Sequence, residues 1–394
     1  MPFDFDAFIE RRGTHSSKWD AMAARTGVES ADGIPMWVAD MDFAAPPPVQ
    51  ERLAALVRHG VFGYYGDDRS WRAAIGGWMA RRHGWTVEPD WITPSAGVCA
   101  ALGIACQAFA EPGEGVVIFP PVYHMFANMI RSSGRRVIDA PLVETQGRYA
   151  MDLEALAANL PSDARIVLLC SPHNPGGRVW SVKELRALAL FCLERGLVLI
   201  SDEVWHDLVF PEARHTVTAL ACPEIAPLLV TCAAPSKTFN LAGGHVAEVI
   251  IADPALRARY RAAAQASHGM SGNLFGLIAA EAAYDHGAPW LDALLPYLAA
   301  NRDRFMAGLV AAVPGARCMA MESTYLAWVD FAGTGLAPGD VADRLRDRAR
   351  IGVNAGPSFG PGGESRARFN LACPRSMVDS ALDRLADAFG DIRS

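Results

Sequence analysis

The middle third of the chain carries a strand–helix–strand signature. Arg165-Ile166-Val167-Leu168-Leu169-Cys170 reads as a buried strand, and Ser171-Pro172-His173-Asn174-Pro175-Gly176-Gly177 after it must be a loop. Ser181-Val182-Lys183-Glu184 has the form of a capping box, in which serine and glutamate satisfy each other's backbone N–H groups at a helix start. The helix it opens carries Leu185, Leu188 and Cys192 on one face and stops at Gly196. Leu197-Val198-Leu199-Ile200-Ser201-Asp202 is the next strand. Two such strands joined through a helix make a βαβ unit, so the sheet is at least partly parallel and covered on both faces.

A further strand is expected at Leu228–Cys232, running into Ser236-Lys237, and another at Val246–Ile251. After about residue 285 the pattern changes to a long helix (Trp290–Val313), a strand (Tyr325–Val329) and a terminal helix (Met377–Phe389). A chain of 394 residues exceeds what one simple core usually holds. The expected organisation is a large α/β domain over 46–284 and a smaller α+β domain from 1–45 and 285–394. No repeat or low-complexity linker interrupts it.

Composition excludes several classes. Hydrophobic residues make up 51% and charged ones 20%, which describes a folded chain rather than a disordered one. A net charge of −7 gives no support to a nucleic-acid groove or an anionic membrane surface. The N-terminus is acidic with no apolar segment after it, unlike a signal peptide. The apolar stretch Gly97–Ala110 is broken by Gly103 and Gln107 and is too short to span a bilayer. The 8 cysteines form no C-x-x-C pair, so reduced core thiols are expected and no metal site is, which points to the cytoplasm. Gly356-Pro357-Ser358-Phe359-Gly360 matches a nucleophile elbow on paper, but Pro361-Gly362-Gly363 follows where a helix must start.

Asn174, Asp202 and Lys237 stand at the C-terminal ends of successive expected strands, the edge where open α/β sheets bind ligands. Singly, each has a plain structural reading as a turn residue, a strand-end cap or a solvated lysine. Together, an amide, a carboxylate and a lysine suit pyridoxal phosphate: the lysine holds the aldehyde carbon and the acid keeps the ring nitrogen protonated. At Ser95–Ala101 small residues meet an apparent helix start, where backbone N–H groups and the helix dipole favour an anion, although small residues also suit tight packing. A guanidinium fork matches a substrate α-carboxylate bidentately, and Arg366, Arg368 and Arg375 offer one, although any of them could be a surface charge.

Ser171-Pro172-His173-Asn174-Pro175, Ser201-Asp202-Glu203-Val204 and Ser236-Lys237-Thr238-Phe239-Asn240 resemble three signature blocks of the fold-type I pyridoxal phosphate enzymes, the class I/II aminotransferase superfamily. Trp37–Phe43, Phe62-Gly63-Tyr64, Pro121-Val122-Tyr123, Thr324–Trp328 and Phe369–Arg375 are similar to blocks of the MalY/PatB-type cystathionine β-lyases. The resemblance runs in family order from about residue 11 to 385. It implies a three-layer α/β/α large domain with a mostly parallel sheet. It also implies that Lys237 carries pyridoxal 5'-phosphate as a Schiff base and then takes the substrate Cα proton. Asp202 would pair with the ring nitrogen, Asn174 with the 3-oxygen, and Tyr123 would stack on the ring. Gly97, Val98 and Cys99 would cradle the phosphate, with Ser236 adding a hydroxyl and His245 standing where relatives carry a phosphate-binding arginine. Tyr64 would reach in from a second subunit, which implies a homodimer. Trp37 would close over the substrate, contacting it with Tyr123, Asn174 and Arg368.

Two residues depart from the family pattern. Trp205 occupies a position that often holds histidine or tyrosine, and His206 follows it; Phe369 replaces a leucine. The expected activity is a carbon–sulfur β-lyase on cystathionine or related cysteine S-conjugates. The alternatives are an aminotransferase on a small or hydrophobic amino acid, which shares Lys237, Asp202, Asn174 and Arg368, and a non-catalytic binding protein on the same scaffold.

Overall fold

The computed structural model of the chain describes residues 3–269 and 272–392. Its centre is a seven-stranded sheet: β1 (Ile92–Ser95), β2 (Gly115–Ile118), β3 (Arg136–Asp139), β4 (Ala164–Cys170), β5 (Val198–Asp202), β6 (Leu229–Ala233) and β7 (Ala247–Ile250). The spatial order is β1-β7-β6-β5-β4-β2-β3. Strands β6, β5, β4, β2 and β3 run parallel, whereas β7 is antiparallel to both neighbours. The reversal follows from the connection after β6. It holds only the short turns Pro235–Thr238 and Ala242–Gly244, not the helix a parallel crossover needs.

Alternation along the strands explains the three layers. Ile166, Leu168 and Cys170 face one side, packing with Leu102, Ala105 and Phe109 of helix α1 (Val98–Phe109). Val167 and Leu169 face the other, against Leu185, Leu188 and Cys192 of α2 (Val182–Arg195). Each fully buried Leu or Ile side chain stabilises such a core by about 1.5–3 kcal/mol. The capping box at Ser181 and Glu184 forms, and Gly196 terminates α2 at φ 63°, where glycine has no Cβ penalty.

The C-terminal part adds α3 (Ala288–Ala312), α4 (Arg375–Phe389) and an antiparallel sheet of β8 (Arg317–Cys318), β9 (Leu326–Asp330), β10 (Asn354–Ala355) and β11 (Arg366–Asn370). The N-terminal segment is bound to it: Ile34–Pro35 pairs in parallel with Ile351–Gly352. Asn370 donates from Nδ2 to the carbonyls of Val38 and Asp40 at 2.5 and 2.6 Å. Buried Lys18 pairs with Asp42 at 2.6 Å, and the same carboxylate accepts from Trp19 and Arg11. A charge cluster this buried stands only because every partner is satisfied, and it pins the 37–43 strap beside the sheet edge. Among the described residues no helix is long and apolar enough to cross a membrane.

Candidate active site

Strand register creates the site. Cys170 pairs with Asp202, and Asp202 with Cys232, so the chain leaves β4, β5 and β6 at one level. Asn174, Asp202 and Lys237 thereby reach one cavity of about 400 Å³. Trp37, Gly97, Val98, Cys99, Tyr123, Ser236, His245 and Arg368 line it too. Tyr64 does not: its side chain is fully exposed.

Asp202 is buried, and its carboxylate accepts one backbone N–H, from Val204 at 3.2 Å. Burial raises its pKa to about 7, against the opposing pull of that N–H and of Lys237. A carboxylate so placed is stabilised by a cation donating to it from the cavity. Lys237 Nζ donates to the Ala39 carbonyl at 2.7 Å. Burial brings its pKa down to about 8, so a useful fraction of the amine is neutral near physiological pH. Trp205 lies with its ring centroid 5.7 Å from Nζ, and its edge meets Tyr325 at 4.9 Å. Tyr325 donates its hydroxyl to the same Ala39 carbonyl at 2.9 Å.

Arg368, on β11, crosses from the small sheet and is buried. It donates to Asn174 Oδ1 at 2.9 Å, to the Trp37 carbonyl at 2.9 Å and to Asn354 Oδ1 at 2.8 Å. Its Nε has no hydrogen-bond partner among the described residues. Burial lowers its pKa to about 10, which still leaves it cationic at neutral pH. The bond to Asn174 also orients that amide, leaving Nδ2 as the donor available to a ligand.

Gly97 caps α1 at φ 98°, a conformation that strains any residue with a Cβ, although a Cβ there would meet nothing within 4 Å. The constraint is conformational. The N–H groups of the first turn, from Val98 onward, have no intrahelical acceptor and face the cavity with the positive end of the helix dipole. His245 also sits in the left-handed region, at φ 44°.

Sequence reasoning missed His124 and Asn354, which also line the cavity. Burial and then the charge of Arg368 lower the His124 pKa to about 4, so it is neutral. His206, next to Trp205, turns the other way. It lies 3.2 Å from Asp207, whose carboxylate also accepts from His83 at 2.8 Å and Thr238 at 2.8 Å. The only signal for either missed residue was adjacency: His124 follows Tyr123.

The donor set matches pyridoxal 5'-phosphate group by group: an N–H nest for phosphate, a buried carboxylate for a protonated ring nitrogen, an amide donor for an oxygen, and an amine for an aldehyde. Fold and site together define a fold-type I pyridoxal phosphate enzyme. The chain belongs to the aminotransferase class I and II family, whose model matches residues 40–385. It is 42% identical to cystathionine β-lyase PatB of Bacillus subtilis, over 98% of this chain and 99% of that protein. It is 33% identical to protein MalY of Escherichia coli, over 99% and 100% respectively. Among solved structures, cystalysin from Treponema denticola, which contains a pyridoxal 5'-phosphate cofactor, superposes with a TM-score of 0.95 at 34% identity, covering all of both chains.

Proposed function

We propose that this chain is a pyridoxal phosphate-dependent carbon–sulfur β-lyase acting on cystathionine or related cysteine S-conjugates. The observation that carries the reading is the convergence of Lys237, Asp202, Asn174 and Arg368 on one cavity. Full-length likeness to a cystathionine β-lyase favours elimination over amino transfer.

The bound cofactor supplies an electron sink for the pair left when the substrate Cα loses its proton. Lys237 would hold the cofactor's aldehyde carbon and, as a free amine, would take that proton; its lowered pKa suits it to the task. Asp202 would keep the ring nitrogen protonated, and Asn174 Nδ2 would donate to the ring oxygen. Val98, Cys99 and Gly97 would hold the phosphate with Ser236 and His245, while Tyr123 would cover the ring. Arg368 clamps the α-carboxylate beneath Trp37. The Cα–H pair then expels the β-sulfur, whose C–S bond breaks with both electrons leaving on sulfur. A thiolate leaves without acid assistance, which fits a site where His124 is held neutral. The released enamine hydrolyses to pyruvate and ammonia.

The enzyme incubated with cystathionine is expected to yield pyruvate with no oxo acid added. Conversion that depends on an oxo acid, without pyruvate, would establish an aminotransferase instead.

The reading includes a cytoplasmic homodimer. All eight cysteines are free thiols, and fully exposed Tyr64, flanked by exposed Val61 and Phe62, is free to reach the phosphate of the partner subunit. A solution mass of about twice 42.3 kDa by light scattering is expected, and a monomer with full activity would refute it. The division into 46–284 and a small domain of 1–45 with 285–394 is supported by the pairing of Ile34–Pro35 with Ile351–Gly352.

A further inference from the structure

In the active-site cavity Cys170, Asn174 and Asp202 stand at the ends of β4 and β5, Gly97–Cys99 at the start of α1, and Trp205 beside Lys237. Trp37, His124 and Asn354 line this cavity and also a second cavity of about 820 Å³. Arg368 donates to the Trp37 carbonyl and to Asn354, so the carboxylate clamp stands at the boundary between the two spaces.

The second cavity is built from small-domain side chains, chiefly Phe331, Leu336, Val341, Ile351 and Val353. Its cations are mostly neutralised. Arg366 is held by Glu144, Asp330 and Tyr149, and Arg346 by Asp343 and Asp347. Arg25 and Glu364 are exposed to water. A zwitterionic leaving group entering this space exchanges hydration for the two water-exposed charges of Arg25 and Glu364, whereas an apolar one gains contact with Phe331, Leu336, Val341, Ile351 and Val353.

We propose that this cavity receives the leaving group, and that bulky, apolar cysteine S-conjugates are therefore better substrates than cystathionine. The inference rests on the β-lyase reading. With the carboxylate on Arg368 and the Cα proton toward Lys237, the β-carbon and its sulfur project to the wall of Trp37, His124 and Asn354. The elimination itself is unchanged: the C–S bond breaks and its electron pair leaves on sulfur, now carried by an apolar thiolate.

The test measures pyruvate from S-methyl-L-cysteine, S-benzyl-L-cysteine and L-cystathionine with the holoenzyme. The kcat/KM for the benzyl conjugate is expected to exceed that for cystathionine by about tenfold or more, the range apolar pocket contacts deliver. Ala355 is exposed and lines only the second cavity. Ala355→Trp is expected to lower kcat/KM for the benzyl conjugate by about tenfold while leaving S-methylcysteine turnover within about twofold. Val353→Phe, on the same face of the segment two residues earlier, is expected to discriminate in the same direction. Cystathionine turned over as well as the benzyl conjugate overturns the inference, as does equal loss on all three substrates in both variants. A changed solution mass in the variants with unchanged selectivity also overturns it, because a second subunit then fills the space. Pyruvate from none of the three defeats the β-lyase reading itself.

Discussion

Replacing Lys237 with alanine is expected to lower pyruvate formation by about 10⁴-fold, the upper end of what a positioned general base contributes, because in the proposed reading the same side chain also holds the cofactor. No other amine lines the cavity among the described residues, so none can take its place. The substitution removes one hydrogen bond, to the Ala39 carbonyl, which Tyr325 also satisfies. The fold is therefore expected to survive, and far-UV circular dichroism should match the parent. The same residue predicts a pH dependence. Only a neutral amine attacks an aldehyde, and the Lys237 pKa is lowered to about 8. At pH 7 about a tenth of such an amine is neutral, against well under 0.1% for an ordinary lysine. The rate at which apoenzyme takes up pyridoxal phosphate should thus rise with pH and level off above about 8. A Lys237→Ala enzyme retaining a tenth of its activity would end the assignment, and uptake still climbing at pH 10 would end the account of the lowered pKa.

Asn174, Asp202 and Lys237 were legible as a site because strand periodicity locates strand ends, and a parallel sheet sends every strand end to one edge. The capping box at Ser181 and the stop at Gly196 were legible for a similar reason, being local backbone chemistry. What was not legible depends on contacts far apart in sequence. The direction of β7 is set by how little chain remains for a crossover. Trp205 and His206 are adjacent, yet one faces Lys237 and the other the Asp207 network, a choice made by packing against Tyr325 and His83. Asn354 enters only because β10 pairs with β11 and brings its amide to Arg368. The second cavity gathers residues from 17–37, 124–125 and 331–367, segments too far apart in sequence for any local pattern to join them. The elbow-like Gly356–Gly360 segment is the converse case. Ser358 sits in a short turn and donates its hydroxyl to the Ala355 carbonyl at 2.6 Å, as the prolines and glycines around it imply.

Arg368→Ala is expected to reduce kcat/KM by about a hundredfold to ten-thousandfold, chiefly through KM. A hydrogen bond to a charged group contributes about 1.5–3 kcal/mol, and a bidentate clamp on a carboxylate makes two. Each 1.4 kcal/mol is tenfold, which gives the range. Truncation also strands three acceptors, Asn174 Oδ1, the Trp37 carbonyl and Asn354 Oδ1, of which Asn174 is buried. Asn174 loses the partner that orients its amide toward the cofactor, so a smaller fall in kcat should accompany the change in KM. Arg368→Lys keeps the charge but not the fork, and lysine's compact ammonium cannot serve a carboxylate and three protein acceptors in one plane. It should recover about tenfold of the loss, the share of one charge-assisted bond. The methyl ester of the same cysteine conjugate separates this role from simple loss of structure. The parent enzyme should prefer the acid strongly over the ester, because only the acid offers the guanidinium a charge. In Arg368→Ala that preference should collapse toward unity, whereas a merely structural defect would slow both substrates alike and leave their ratio intact. A preserved acid-to-ester ratio would therefore remove Arg368 from the carboxylate and leave it as a strut between Asn174, Trp37 and Asn354.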